Sequence, residues 1–278
     1  MATFTNQATL TFRGVTASSN TVTGEIVGVL SAEKTALAES YSLGTGITYI
    51  ISLRNAGETA LTNITILDDL GTAGEANAPL DYVEGSAVWF LDGVRQPSIS
   101  VSTENGLSFT GVTVPANGNS LIIYDAVTNG YAPLAVGSEI TNTASVTGGV
   151  TPIDVSETVP VSAEPVLSIS KALSPLTVTE NGELTYTFVI ENTGNMAAEQ
   201  EDGVILSDVF DPVLNGLTAA LNGAALTLGE DYTYNAATGE FSTVTGVITV
   251  PAATYSQDPS EKTVTVPGRA VLTVTGTI

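Results

Sequence analysis

The sequence predicts an all-β protein: two tandem β-sandwiches plus an N-terminal β-hairpin. Three observations carry this. Apolar and polar residues alternate with the period of a half-buried strand, as in the stretch Phe4 to Phe12. There Phe4, Asn6, Ala8, Leu10 and Phe12 share one face, and Thr5, Gln7, Thr9 and Thr11 the other. The composition is rich in Thr, Val, Gly, Ser and Ala and poor in aromatic residues, which suits strands. The chain also repeats itself: Lys34, Tyr49, Asn55 and Gly57 recur 137 positions later as Lys171, Tyr186, Asn192 and Gly194.

Taken in order, residues 1–26 form a hairpin. Gly14 and the polar run to Asn20 make its turn, and Thr21-Val22-Thr23 its return strand. A first body follows, with strands at Thr48–Leu53, Ile64–Leu67, Ala87–Leu91, Gly111–Val114 and Leu121–Tyr124. Glu33 to Ser40 has helical composition, but its repeat partner contains Pro175 and Val178, so no helix is expected there. The hairpin pattern then returns at Ile140-Thr141-Asn142-Thr143-Ala144-Ser145-Val146, followed by Gly148-Gly149 and a strand through Val155 to Val161. A second body carries strands at Leu184–Ile190, Gly246–Val250, Thr263–Val266 and Val271–Val274. Past a small insertion near Glu199-Gln200, Leu67-Asp68-Asp69-Leu70 aligns with Leu206-Ser207-Asp208-Val209, and Val114-Pro115 with Val250-Pro251. Short strands punctuated by Gly, Pro and Asn indicate sandwiches. The expected domains are 1–26, 27–161 and 162–278. Asn55-Ala56-Gly57 and Asn192-Thr193-Gly194 are turn chemistry, and Trp89 and the tyrosines are core or strand-packing residues.

Composition narrows the function. The chain holds 29 acidic and 7 basic residues, a net charge of −22, so it repels nucleic acid and anionic membranes. Cysteine is absent, which excludes disulfides and thiolate chemistry. Histidine is absent, which excludes Ser-His-Asp catalysis and His-ligated metals. No nucleophile with a base is visible, so no turnover enzyme is expected. No apolar run is long enough to span a membrane. The first residues, MATFTNQ, lack the basic and apolar regions of a secretory signal, so a mature product or another export route is expected. Glu199-Gln200-Glu201-Asp202-Gly203 and Asp68-Asp69 are candidates for Ca²⁺, without calcium-loop spacing; acidic surface loops are the competing explanation. No other cofactor or metal is expected.

The order of Lys, a Gly-rich turn before Thr48-Tyr49 or Thr185-Tyr186, Asn-x-Gly, an Asp-containing segment, and Ile140-Thr141-Asn142-Thr143-Ala144 resembles the Ig-like conserved repeat of bacterial surface proteins, known as domain of unknown function eleven. In that family the Ile-Thr-Asn-Thr-Ala hairpin closes its domain. The resemblance thus implies that residues 140–161 complete the first Ig-like domain, and that the second awaits a closing hairpin. The hairpin at 1–26 has the matching pattern. Strand addition between copies is therefore expected, with Phe4, Ala8, Leu10 and Phe12 as interface residues. Such a head-to-tail contact does not close and gives a homopolymer. A monomer, or a spacer or adhesin module of a longer surface protein, is the alternative.

Three polar residues per repeat share parity with apolar neighbours. Lys34, Asp69 and Asn142 form one set, and Lys171, Asp208 and Asn6 the other. Burial lowers a lysine's pKa and raises a carboxyl's, so a neutral amine can attack the Asn amide with Asp as proton shuttle. This order resembles the self-crosslinking domains of Gram-positive pilins and collagen-binding adhesins. It implies isopeptide bonds from Lys34 to Asn142 within a chain and from Lys171 to Asn6 between chains, catalysed by Asp69 and Asp208. A hydrogen-bonded ion pair is the alternative. The expected setting is extracellular, on a bacterial cell or spore surface.

Overall fold

The computed structural model describes residues 2–26, 28–72, 77–104, 106–148 and 150–278. It is built almost wholly of antiparallel strands. No helix of the described residues is long and apolar enough to cross a membrane.

The N-terminal hairpin comprises β1 (Ala2–Asn6), β2 (Thr9–Phe12), β3 (Val15–Ser18) and β4 (Val22–Ile26). β1 pairs with β4 and β2 with β3. Arg13 and Gly14 form the turn with φ of 49° and 80°, the left-handed conformation that matches the strand twist in a two-residue loop. The strand expected to run unbroken to Phe12 is interrupted at Gln7 and Ala8. There Ser19 substitutes for the ladder, its Oγ accepting from Ala8 N at 2.9 Å. The apolar side chains of the hairpin face solvent: Phe4, Leu10, Phe12, Val15 and Val22 are all exposed, Leu10 at 70%.

By packing, the chain divides into two compact units, 1–129 with 140–159 and 130–139 with 160–278. The segment 130–139, expected in the first domain, thus belongs to the second unit. The boundary expected at residue 27 falls outside the described residues.

Besides the hairpin strands, unit 1 contains β5 (Leu30–Ala36), β6 (Gly46–Asn55), β7 (Leu61–Asp68), β8 (Leu80–Tyr82), β9 (Val88–Leu91), β10 (Val94–Arg95), β11 (Ser100–Ser102), β12 (Leu107–Val114), β13 (Asn119–Thr128), β14 (Glu139–Thr147) and β15 (Ile153–Pro160). One sheet runs β10-β9-β13-β6-β5, with β8 on β13; the other runs β11-β12-β7-β14-β15. Alternation supplies the core. Tyr49, Ile51 and Leu53 of β6 and Ile122, Tyr124 and Ala126 of β13 point toward Ile64 and Ile66 of β7, Phe109 and Val112 of β12, and Ala144 and Val146 of β14, all 0% exposed. Each large apolar side chain so buried stabilises by roughly 1.5–3 kcal/mol.

Unit 2 contains β16 (Leu167–Ser174), β17 (Glu183–Asn192), a 3-10 turn (Gln200–Asp202), β18 (Ser207–Val209), β19 (Asn215–Leu221), β20 (Ala224–Ala225), β21 (Tyr232–Asn235), β22 (Glu240–Thr243), β23 (Thr254–Gln257), β24 (Thr263–Val266) and β25 (Gly268–Thr277). Its sheets run β16-β17-β25-β19-β20, β18-β22-β21 and β23-β24. The strand expected at Gly246–Val250 does not form. Gly246 turns the chain at φ 85°, and Ile248 and Val250 are buried in the core without a ladder, save one bridge from Val250 to Ala198. The two Asn-x-Gly turns are built alike. Asn55 Nδ2 donates to Thr59 O and Pro115 O while its Oδ1 accepts from Gly57 N; Asn192 does the same with Met196 O, Pro251 O and Gly194 N.

Candidate functional site

In unit 1 the two sheets meet at a buried polar cluster. Lys34 lies on the inward face of β5, four residues past Leu30. Asp68 closes β7, where the parity of Ile64 and Ile66 carries it inward. Lys34 Nζ donates to Asp68 Oδ2 at 2.7 Å, and both side chains are wholly buried. Asp68 also accepts from Tyr124 Oη at 2.5 Å and from Leu70 N at 3.0 Å. Tyr124 Oη in turn accepts from Asn142 Nδ2 at 3.1 Å. Tyr49 stacks on Tyr124 with centroids 5.5 Å apart, and Lys34 Nζ sits 5.1 Å from the Tyr49 ring centroid. Among the described residues, Tyr49 Oη and Asn142 Oδ1 are buried polar atoms without a hydrogen-bond partner.

Burial dominates the electrostatics. It pulls the Lys34 amine below the ordinary lysine value, with Asp68 opposing. It pushes the Tyr49 and Tyr124 hydroxyls up, so both stay protonated at neutral pH. An amine whose charged form burial disfavours, hydrogen-bonded to a carboxylate in the same cluster as an amide, is the arrangement that nucleophilic attack on that amide needs.

The structure brings together Lys34, Asn142 and Asp68, not Asp69. Leu67 points outward, 45% exposed, so the adjacent aspartates divide the other way from the expectation. Asp69 Oδ1 instead accepts from Gly71 N at 2.8 Å and from Thr143 N at 2.9 Å, holding the end of β7 against β14. The repeat therefore matches Asp68 with Asp208, one residue off the sequence alignment. Tyr124 was not singled out from sequence; the available signal was its inward parity on β13 with Ile122 and Ala126.

Unit 2 holds the corresponding pair in the open. Lys171 Nζ donates to Asp208 Oδ2, but their side chains are 41% and 20% exposed. The amine sits 4.5 Å from the Tyr186 ring centroid and 5.4 Å from those of Phe188 and Phe210. The register pairs Tyr186 with Val274 as it pairs Tyr49 with Tyr124, so Val274 stands where unit 1 has Tyr124. The strand surroundings differ as well. β7 pairs with both β12 and β14, whereas β18 pairs only with β22 among the described residues. Leu30, 8% exposed in β5, matches Leu167 at 39% in β16; Ile169 stands at 59%. A cleft remains, lined by Leu167, Ile169, Ile190, Val204, Ile205 and Leu206.

Asn6 is exposed on β1, opposite Val22. Ala8 is exposed, and Phe4 lies over Gly24, where a Cβ would come within 2.4 Å of its ring. Of the Ca²⁺ candidates, Glu199–Gly203 forms a capped 3-10 turn, with Asp202 Oδ2 accepting from Glu199 N, and Asp68 is engaged by Lys34 and Tyr124. Among the described residues no group of three or more acidic side chains could hold a metal ion.

The chain is thus a pair of all-β sandwiches, each with a Lys–Asp pair between first strand and opposite sheet. No protein-family model matches it, the Ig-like conserved repeat included, and no curated protein is similar to it. Among solved structures it is similar to BcpA, the major pilin subunit of Bacillus cereus, at 14% identity and TM-score 0.36 over 96% of this chain and 73% of that one. It is similar to a C-terminal fragment of a Streptococcus agalactiae major pilin at 12% identity and TM-score 0.37, covering 86% and 91%. The collagen-binding domain of a Staphylococcus aureus adhesin matches at 13% identity and TM-score 0.32, covering 49% and 99%.

Proposed function

We propose that this chain is the structural subunit of a bacterial surface fibre, on a cell or a spore, that polymerises head to tail. In this reading the N-terminal hairpin of one copy completes unit 2 of the next, and isopeptide bonds reinforce the fibre. The observation that carries it is the contrast between the units. The same Lys–Asp pair is buried under β14 in unit 1 and lies beside an unfilled apolar cleft in unit 2.

The hairpin fits that cleft by register. Ala144 lies opposite Asp68 and Val146 opposite Ile66. With Asn6 in the place of Asn142, Ala8 comes opposite Asp208 and Leu10 opposite Leu206. Phe4 then takes the place of Ile140, which is 2% exposed in unit 1. Phe4 and Leu10, exposed in the single chain, would each contribute roughly 1.5–3 kcal/mol on burial. Strand addition also satisfies the free edge of β18. The incoming Asn6 would meet Lys171 as Asn142 meets the Lys34 cluster. The Lys34–Asn142 bond would form within unit 1, with Asp68 as shuttle, and the Lys171–Asn6 bond only once the cleft is filled and dry.

The test compares the purified chain with a variant lacking residues 1–26, by negative-stain microscopy, hot-detergent electrophoresis and intact mass. The full chain should form fibres that resist boiling and yield peptides joining residue 6 to residue 171. The shortened chain should stay monomeric and lose one ammonia, from Lys34 and Asn142. Identical fibres from the shortened chain would show that the hairpin is not what fills the cleft. Fibres that boil down to unmodified chains would remove the covalent part.

A further inference from the structure

We propose that Tyr124 is a catalytic proton relay for the Lys34–Asn142 bond, and that Val274 leaves unit 2 without one. The inference rests on the crosslink reading above. Tyr124 Oη is the atom that joins the two ends of the reaction. It donates to Asp68 Oδ2, the oxygen that also receives the Lys34 proton, and it accepts from Asn142 Nδ2, the nitrogen that must leave. Its ring stacks on Tyr49 at 5.5 Å and packs tilted against Phe109 at 5.4 Å between centroids. Burial keeps the hydroxyl protonated, so it can accept and donate at once.

The steps balance. Lys34 gives one ammonium proton to Asp68, and the free Nζ attacks Asn142 Cγ, forming the new C–N bond. Asp68 passes its proton to Tyr124 Oη as Tyr124 delivers its own to Nδ2. The carboxylate then removes the surplus proton from Nζ. The carbonyl re-forms, the Cγ–Nδ2 bond breaks, and ammonia departs with the proton left on Asp68. No oxidant or cofactor enters. In unit 2 a valine methyl occupies the relay's place, so Asp208 must reach the leaving nitrogen itself. The intermolecular bond is therefore the slower one, and a wrongly seated hairpin can leave before it is sealed.

The experiment follows crosslinked peptides by mass spectrometry in protein sampled during cell-free synthesis and quenched in acid. Tyr124→Phe keeps the ring and removes the hydroxyl. The Lys34–Asn142 bond should then form about a hundredfold more slowly, the scale of one lost acid–base step, while Lys171–Asn6 bonding is unchanged. Site-specific 3-fluorotyrosine at 124, a stronger acid of nearly the same shape, should restore or exceed the native rate; circular dichroism checks the fold of both variants. Bonding of Tyr124→Phe at the native rate would overturn the relay and leave the crosslink standing. A slow Tyr124→Phe with fluorotyrosine no better than phenylalanine would also overturn it, reducing Tyr124 to a positioning residue. Native protein that never loses ammonia at these residues would overturn the relay together with the crosslink.

Discussion

Asp68 and Asp69 are adjacent and chemically identical, yet the fold gives them different tasks. Asp68 is the counter-ion of a buried lysine; Asp69 receives two backbone amides at the partly solvated end of β7. Asp68→Ala should block the unit 1 bond and strand Lys34 without a partner, a loss of roughly 3–5 kcal/mol. Asp69→Ala should keep the bond and lose roughly 1 kcal/mol for each hydrogen bond removed. Urea unfolding with intact-mass measurement checks both; a bonded Asp68→Ala protein would contradict the assignment. Sequence made the lysines legible because they recur in matching places. It did not resolve the aspartates, since a pair of like residues looks the same after a one-residue slip. Tyr124 stayed hidden because its hydrogen-bond partners, Asp68 and Asn142, lie on β7 and β14, distant in the chain.

At the level of elements, β14 and the leading strands β1 and β2 carry one pattern in two environments. Val146 is wholly buried, whereas Leu10 is 70% exposed. Val146→Asp should therefore unfold unit 1 or cost it several kcal/mol, on the scale of an unpaired buried charge (roughly 3–5 kcal/mol). Leu10→Asp should leave the melting of the single chain unchanged and abolish fibre growth. Thermal melts beside light scattering decide it: normal growth of Leu10→Asp would show that Leu10 does not enter the cleft. Alternation disclosed β6, β7, β13, β14 and β25 well. It failed at β19, where Gly216 at φ 60° and the pair Ala219-Ala220 carry little strand preference and pairing with β25 imposes the conformation. It failed the other way at Gly246–Val250, whose apolar residues are drawn into the core without a neighbouring strand.

For the whole molecule, the −22 charge opposes close packing of copies, and in the proposed fibre the apolar contacts would have to outweigh it. Alkaline pH probes the interior separately. Tyr49 and Tyr124 are held protonated in the folded state, whereas unfolded tyrosines release their proton near pH 10. The native state therefore binds more protons above that pH, and stability is lost as pH rises past about 10. A phenolate absorbance titration should show these two of the nine tyrosines ionising only with unfolding. Their smooth titration in the folded protein would contradict their burial.

The positions of Lys34 and Asn142 also decide where a pulling force would travel. β5 is the earliest strand in the two large sheets of unit 1, and β14 with β15 are the last, so tension along the chain enters at one and leaves at the other. A covalent tie between them lets the load bypass the roughly one hundred intervening residues, which would otherwise pay out to ~350 Å when stretched. Hydrogen-bonded ladders yield one pair after another under strain, whereas an amide link does not. Unit 1 so tied would behave as an inextensible link, and in the proposed fibre give would be confined to the joints between copies.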